Sequence, residues 1–280
     1  PQSASFARTA IRVTRRLAYE RVQEVLDDPG QGGGRIATGV RELLLRMAEL
    51  ARLLRRQRAK AGAIELTLPE VRIELDRQGR VSGAHEVQHN ESHRLIEEFM
   101  LAANVAVARE LSARGLCFLR RTHDEPSPQR LERFATFARE LGLDIPPRPT
   151  RPNLQAVLDR VAGKRYEQAV NYALLRSMRR AEYSPHDIGH YALAADDYCH
   201  FTSPIRRYPD LIVHRLLDSV IDRRKPRGGS LGQVAELGRH CSATERRAES
   251  AERALVRLKM LLLLADRVGE VLETRVTRVE

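Results

Sequence analysis

Residues 200–215 read HFTSPIRRYPDLIVHR, a stretch that combines hydroxyl, imidazole, guanidinium and carboxylate side chains. Ser203-Pro204 and Pro209-Asp210 both have the composition of helix starts, and Pro209 leads into an apolar-striped helix. The free N–H groups at a helix N-terminus attract anions. The stretch is therefore a candidate phosphate site as well as the start of a core helix.

Arg206 and Arg207 lie between the two predicted helix starts. A guanidinium is a planar donor fork that fits phosphate oxygens, so one interpretation is a phosphate clamp. The alternative is a structural ion pair in which one arginine binds Asp210. Both can hold, because adjacent side chains usually point in different directions. A serine hydrolase site is disfavoured, since Ser203 lacks a glycine-flanked elbow and no acid is placed to orient His200.

Periodicity elsewhere predicts an α+β fold in which helices dominate. Alternation over 63–75, the turn DRQG at 76–79 and RVSGAHEV after it predict a β-hairpin. Residues 268–280 also alternate like a strand. Ser92, Ser127 and Asn153 are the expected N-caps of their helices. Helices are predicted over 16–27, 35–60, 92–114, 127–142, 153–163, 166–180, 209–224 and 231–265.

Composition points to a polyanionic partner. The 280 residues are 42% hydrophobic, enough for a buried core, and carry a net charge of +11. Nucleic acid is the first partner expected and an anionic membrane surface the second. The alternative is an arginine-rich protein with no such partner. No apolar run approaches the length of a membrane span, and the N-terminus lacks the apolar core of a signal peptide. Three widely separated cysteines favour a reducing cytoplasm over disulfides or a zinc site.

Two further groups of residues are ambiguous. His186 and His190 in HDIGH have the spacing of metal ligands on one helix face, but Gly189 and the preceding proline argue against a helix. Glu97 and Glu98 interrupt an apolar helical pattern, where a carboxylate could orient water or a cation or simply be solvated. The segment 246–259 is most simply a charged helix with i,i+4 pairs such as Glu249–Arg253.

The segment GHYALAADDYCHFTSPIRRYPDLIVHRLL (189–217) resembles the signature of the ribonuclease II/R family of exoribonucleases, and is nearest to its ribonuclease R branch. Three more segments are similar to that family in the right order. They are RTAIRVTRRLAYERVQEVL (8–26), ESHRLIEEFMLAANVAVAREL (91–111) and HCSATERRAESAERALVRLK (240–259). The last residues resemble the first strand of an OB-type RNA-binding domain. The resemblance implies a partial RNB-type catalytic domain over 1–266 and the start of an OB-fold domain over 267–280.

The resemblance also implies roles for individual residues. Tyr19 matches a tyrosine beside the scissile phosphate, and Glu97 matches a glutamate in the catalytic cavity. Arg206 matches the arginine that contacts the terminal phosphate. Glu252 is similar to an acidic residue near the cavity exit. Positions that shape the RNA channel are matched by His190, Thr202, Ser203, Arg207 and Asp210.

A member of this family would hydrolyse single-stranded RNA from its 3′ end with Mg²⁺, as a cytoplasmic monomer that releases nucleoside 5′-monophosphates. The sequence departs from the family in two ways. The aspartate run D-x5-D-x-D-D that holds the metal is absent, so no metal ligand is predicted, and Leu66 replaces a base-stacking aromatic. The abrupt start without Met fits a fragment that needs the N-terminal half of its nuclease domain as a partner. The alternative is a non-catalytic RNA-binding scaffold, a pseudonuclease.

Overall fold

The computed structural model describes residues 3–87, 89–225, 228–265 and 267–271. Within these ranges the chain forms helices joined by short connections, with two small antiparallel sheets. The helices are α1 (Tyr19–Asp27), α2 (Thr38–Lys60), α3 (Glu91–Ala113), α4 (Pro128–Glu140), α5 (Arg151–Val161), α6 (Glu167–Ser177), α7 (Tyr208–Ile221) and α8 (Leu231–Ala265). The strands are β1 (Val71–Leu75), β2 (Val81–Glu86), β3 (Arg120–Thr122) and β4 (Glu182–Ser184). The predicted helix-dominated α+β class is confirmed.

Helix α3 joins two hydrophobic clusters. Near its N-terminus, Leu95 packs with Ala48 and Ala51 of α2. Further along, Val107 and Leu111 belong to a cluster that also contains residues of α7. Because both contacts use one continuous helix, α3 fixes the position of α7, and of the loop before it, relative to α1 and α2.

The largest cluster is formed by α4, α5 and α6. Phe134, Leu154 and Leu174 are among its buried members. Leu66, just before the β1–β2 hairpin, packs against its edge. This unit carries none of the residues to which the family resemblance assigns a catalytic or RNA-binding role.

Helix α8 crosses strand β4 at very close range. A Cβ atom added to Gly238 would lie 2.4 Å from the carbonyl oxygen of Tyr183, so only glycine permits this approach. Ser242 then accepts the Tyr183 backbone N–H at 2.9 Å. These contacts fix β4, and with it the side chain of Tyr183, against the helix.

An N-terminal arm without regular structure precedes α1 and is attached to α7. The Arg8 guanidinium contacts Asp218 at 2.6 Å and Asp222 at 2.9 Å, and Phe6 packs against the α3–α7 cluster. Within the ranges given above, no helix is long and apolar enough to cross a membrane.

Several details differ from the sequence prediction. The first hairpin strand begins at Val71, not near residue 63, although the hairpin itself and its turn are present. The N-cap of α3 is Asn90, not Ser92. The N-cap of α5 is Thr150, and Asn153 is its partner in a reciprocal capping box. Ser127 does precede α4 as predicted.

Two further predictions concern a helix start at Ser203-Pro204 and a strand at the end of the chain. Ser203-Pro204 opens a single turn over 204–206 and not a helix, so one helix start, at Tyr208, remains near the arginines. Of the segment expected to begin an OB fold, Arg267–Gly269 forms a turn, and residues 272–280 lie outside the described ranges.

Candidate nucleic-acid interface

The segment before α7 is fixed to the middle of α3 by one asparagine. Asn104 is 3% exposed, and its amide donates to the Tyr198 hydroxyl at 3.0 Å while its Oδ1 accepts the Phe201 N–H at 3.0 Å. Its backbone carbonyl also accepts the Cys199 thiol at 3.6 Å. A buried amide that both donates to and accepts from the loop in this way holds the loop in one conformation.

The turn that carries the two arginines is closed by Asp210, which is 0% exposed. Its Oδ1 accepts the Ser203 N–H at 2.8 Å and Nη2 of Arg207 at 2.7 Å. The Ser203 carbonyl in turn accepts the amides of Arg206 and Arg207. Asp210 Oδ2 and Arg207 Nε are buried with no further partner. The structural ion pair considered for this stretch is therefore present, and Arg207 is the arginine that makes it.

Arg206 differs from its neighbour. It lies exposed at the end of the turn, and among the described residues its side chain has no hydrogen bond or ion pair. The adjoining Ile205 and Tyr208 are also exposed. A free guanidinium on a fixed turn can bind a phosphate without first breaking an ion pair.

Two histidines beside the turn are kept neutral. Burial, together with the positive charges of Arg207, Arg121 and Arg206, lowers the pKa of His200 to about 2. Burial lowers the pKa of His190 to about 3, with His123 and Arg121 contributing. The Tyr183 hydroxyl lies 2.9 Å from Nδ1 of His200. Burial raises the pKa of Tyr183 to about 12, so the phenol keeps its proton and can donate it to the imidazole.

A large cavity adjoins these residues. It has a volume of about 1300 Å³, and His190, Leu66 and Arg121 are among its lining residues. Arg121 contacts Glu245 of α8 at 2.7 Å, and its guanidinium lies 4.6 Å from the centre of the Tyr183 ring. Seven arginines line the cavity: Arg121, Arg130, Arg176, Arg179, Arg180, Arg246 and Arg253. Several of these arginines are paired with carboxylates. The cavity wall therefore contains both charges, with more arginines than carboxylates.

One face of α3 forms a second part of the site, which we call the α3 strip: His93, Glu97 and Asn104. Residues four and seven positions apart share a helix face, so these three side chains are aligned. The ring of Tyr19 stacks on His93 with 4.1 Å between ring centres and an angle of 19°. Glu97 is exposed between the two ends of the strip.

The other glutamate of the pair has a different environment. Glu98 has a side chain that is 5% exposed and contacts Arg58 of α2 at 2.5 Å. Arg58 also binds Glu65 at 2.9 Å. Glu98 therefore joins α2 to α3, and Glu97 is the one that faces solvent.

The structure brings the predicted residues together in groups. Thr202, Ser203, Arg206 and Arg207 share one turn, His190 lines the cavity, and Tyr19 and Glu97 belong to the α3 strip or contact it. Glu252 is exposed on α8 and is not among the cavity-lining residues, whereas Glu245 and Glu249 are. The expected pair Glu249–Arg253 is confirmed.

Sequence reasoning missed several residues of the site. Asn104 could have been noticed as an uncharged polar residue inside the apolar run LAANVAVA. Tyr183 and Arg121 lie on three-residue strands that carry no periodic signal. They become recognisable only when β3 and β4 pair beside α8.

The side chains within the ranges given for the fold do not form a metal site. Over the residues that the structure describes, no group of three or more His, Cys, Asp or Glu side chains could hold a metal ion. HDIGH forms no helix, so His186 and His190 do not share a helix face. These residues do not by themselves fit the Mg²⁺ that the sequence resemblance implies.

Comparison with known proteins gives the family. The family model described as RNB domain matches residues 1–223. Ribonuclease R of Thermotoga maritima is 36% identical over 97% of this chain and 39% of its own length. Ribonuclease R of Escherichia coli is 33% identical over 91% of this chain and 33% of its own length. The chain thus spans between one third and two fifths of these relatives.

Solved structures agree with this similarity. Mycoplasma genitalium RNase R in complex with ribose-methylated single-stranded RNA has a TM-score of 0.79 and 25% identity, and covers 90% of this chain and 40% of its own. The same protein with double-stranded RNA also has a TM-score of 0.79. Yeast Ssd1, a pseudonuclease, shares the fold with a TM-score of 0.59 at 22% identity, covering 80% of this chain and 27% of its own. The chain belongs to the RNB-domain family of the ribonuclease II/R type, with ribonuclease R proteins as its relatives.

Proposed function

We propose that this chain is part of a processive 3′-to-5′ exoribonuclease that releases nucleoside 5′-monophosphates from single-stranded RNA. The observation that carries the proposal is the contrast between the two arginines. Arg207 is neutralised by buried Asp210, whereas Arg206 is exposed on the same fixed turn and has no partner in the part of the chain that the structure describes. A relative's name, ribonuclease R, supports RNA as the substrate.

In this proposal Arg206 binds non-bridging oxygens of the terminal phosphate and stabilises the negative charge that develops there. A donor that is already positioned needs no reorganisation during the reaction. Asp210 and Asn104 supply that positioning through the hydrogen bonds described above. Because His190 and His200 are neutral, they do not compete with Arg206 for the phosphate.

The remaining predicted residues take supporting roles. Tyr19 would lie beside the scissile phosphate, and Glu97 would face the reacting end of the RNA from the middle of the α3 strip. His190, Thr202, Ser203 and Arg207 would shape the channel through which the strand passes, and Glu252 would lie near its exit. The exposure of Tyr19, Glu97 and Glu252 is compatible with contact to RNA.

The described residues do not supply a ligand set for Mg²⁺, so no step through the metal is derived from them. We propose that the aspartates are carried by an N-terminal half of the nuclease domain, which would act together with this chain in a cytoplasmic monomer. Residues 1–266 would then be the C-terminal portion of that domain, and 267–280 would begin an OB-fold domain.

The test is to incubate RNA with a labelled 3′ end and Mg²⁺ with the isolated chain and with the full product of its gene. We expect mononucleotide release from the full product only, although both should bind RNA. Processive release by the isolated chain would contradict the need for a second half. Failure of the full product to shorten RNA would contradict the enzymatic proposal.

A non-catalytic RNA-binding scaffold is the second candidate, and it is favoured by the lack of a metal-ligand group within the described ranges. The discriminating observation is the coding sequence upstream of residue 1. An in-frame or frameshifted D-x5-D-x-D-D segment there supports the enzyme. Its absence supports the scaffold.

A further inference from the structure

His200 lies on the fixed loop that leads to the turn of Arg206. The residues on either side of it in the chain are both bonded to Asn104. Its imidazole is partly buried and meets the rings of Tyr183 and Tyr198 edge-on, with 5.5 Å and 5.9 Å between ring centres. Backbone and ring contacts together therefore hold the imidazole in one position.

One hydrogen bond determines which nitrogen of this imidazole carries the proton. Tyr183 is 6% exposed, and Nδ1 of His200, at 2.9 Å, is the partner that its hydroxyl has among the described residues. A buried phenol that donated nowhere would leave its proton unsatisfied, so the hydroxyl donates to Nδ1. A nitrogen that accepts carries no proton, and burial keeps the imidazole neutral. The proton of His200 is therefore on Nε2.

Tyr183 is itself held by its neighbours. Its backbone N–H donates to Ser242 of α8, and the guanidinium of Arg121 lies 4.6 Å from the centre of its ring. The position of the Tyr183 hydroxyl, and with it the tautomer of His200, thus depends on the packing of α8 on β4.

The Nε2–H group of His200 has no hydrogen-bond partner in the part of the chain that the structure describes. It is also open to a ligand, because the buried side-chain atoms that lack a partner in that part of the chain are Arg207 Nε and Asp210 Oδ2. The positive charge of Arg206, six positions further along the chain, reaches the imidazole. His200 therefore offers a fixed, uncharged donor near an exposed cation.

An uncharged donor near an arginine suits an uncharged acceptor. A phosphate gains more from the guanidinium, since charge-assisted hydrogen bonds are about twice as strong as neutral ones. Base edges also accept hydrogen bonds, but their pattern changes with sequence. The ribose 2′-hydroxyl is uncharged, is present on every ribonucleotide and distinguishes RNA from DNA.

We propose that His200 donates its Nε2–H to the 2′-hydroxyl of a nucleotide beside the phosphate bound by Arg206, and that Tyr183 is the positioning residue which fixes this tautomer. The inference rests on the proposed function and adds to it a residue that selects RNA over DNA. Because the contact ignores the base, it is compatible with processive degradation of any sequence.

The experiment measures binding of the chain to short single-stranded RNAs by fluorescence anisotropy in EDTA. One RNA is intact, and the others carry a single 2′-deoxynucleotide at successive positions from the 3′ end. We expect the wild-type chain to lose about three- to tenfold in affinity at one position, as for the loss of one hydrogen bond. His200→Ala should bind intact RNA more weakly by the same factor and should lose the position-specific effect.

Matched variants and a spectroscopic measurement separate this contact from a structural role. Tyr183→Phe keeps the ring but frees Nδ1, so the position-specific effect should become smaller. His186→Ala, at an exposed histidine outside the turn, should keep the wild-type pattern. Nitrogen-15 NMR of the wild-type chain, with the His200 signals assigned from His200→Gln, should show the proton on Nε2. Intact RNA should shift the Nε2 signal more than RNA with the deoxynucleotide at the sensitive position.

The outcomes distinguish this inference from the function on which it rests. If the wild-type chain binds no RNA, the proposed function is contradicted. If it binds RNA and no position is sensitive to the 2′-hydroxyl, or if His200→Ala keeps the sensitive position, only the role of His200 is contradicted. A proton on Nδ1 would overturn that role even if His200→Ala fails to fold. The positioning role of Tyr183 is overturned if Tyr183→Phe keeps the full wild-type effect.

Discussion

At the scale of single residues, Arg206 and Arg207 are chemically identical and have different environments. We expect Arg206→Ala to lower turnover of the full enzyme about 10²–10³-fold, as for the loss of one transition-state donor, with little change in RNA affinity. Single-turnover cleavage and equilibrium binding, measured on the same RNA, check this split. Equal losses in rate and affinity would show that Arg206 only holds the substrate.

Arg207→Ala should act through stability. It leaves the Asp210 carboxylate, which is 0% exposed, without its cation. Removing one partner of a buried pair typically costs about 3 kcal/mol or more. Urea denaturation measures this cost, and Arg206→Ala is the matched control that should unfold like the wild type. An Arg207→Ala protein of normal stability would contradict the structural role.

The burial of neutral His190 and His200 predicts that the protein loses stability in acid. Their folded-state pKa values, about 3 and about 2, lie below the ordinary value of 6.5. Below pH 6.5 the unfolded chain therefore binds protons that the folded chain does not, and each histidine costs about 1 kcal/mol per pH unit. Denaturation between pH 6.5 and 5 isolates this effect from the carboxylates. His200→Gln should have a shallower slope, and an unchanged slope would mean that His200 is not buried and neutral.

At the scale of secondary-structure elements, the crossing of α8 over β4 leaves no room for a side chain at Gly238. Gly238→Ala places a Cβ 2.4 Å from a backbone carbonyl, and overpacking of this kind costs about 1–3 kcal/mol. Gly232→Ala in the same helix meets nothing within 4 Å, so its higher helix propensity should stabilise the protein by up to about 1 kcal/mol. Thermal unfolding of the two variants compares them directly. Similar shifts would mean that α8 is not packed on β4 as described.

The elements also show what a sequence can predict. The 3.6-residue period placed α2, α3 and α8 to within a few residues, because each presents an apolar stripe over many turns. β3 and β4 are too short to show alternation, and β4 is packed against α8, a contact between distant parts of the chain. The caps of α3 and α5 were placed two or three residues late, since Ser92 and Asn153 have cap chemistry but bond to the true N-caps.

The sequence predicts which residue types form the site better than it predicts which of them are in contact. The arginine pair and its possible bond to Asp210 follow from residue chemistry within one short stretch. Which arginine pairs with Asp210 depends on the conformation of the turn, and the loop that leads into this turn is bonded to Asn104, ninety-seven positions before Phe201. The same limit applies to Glu97 and Glu98, because helix phase against α2 decides which carboxylate is covered.

At the scale of the whole molecule, the net charge of +11 is the property on which the proposed association with RNA depends. Much of the positive charge near the cavity is paired, as Arg121 is with Glu245, so the field available to RNA comes from the excess arginines.

About five phosphate contacts to a single strand would release enough counterions to weaken binding about 100-fold between roughly 50 and 200 mM salt. Fluorescence anisotropy of the isolated chain in EDTA measures this dependence. A methylphosphonate oligonucleotide of the same sequence is the control, because its neutral backbone leaves stacking in place and should show almost no response to salt. A flat response with the charged RNA would contradict an electrostatic channel in this protein.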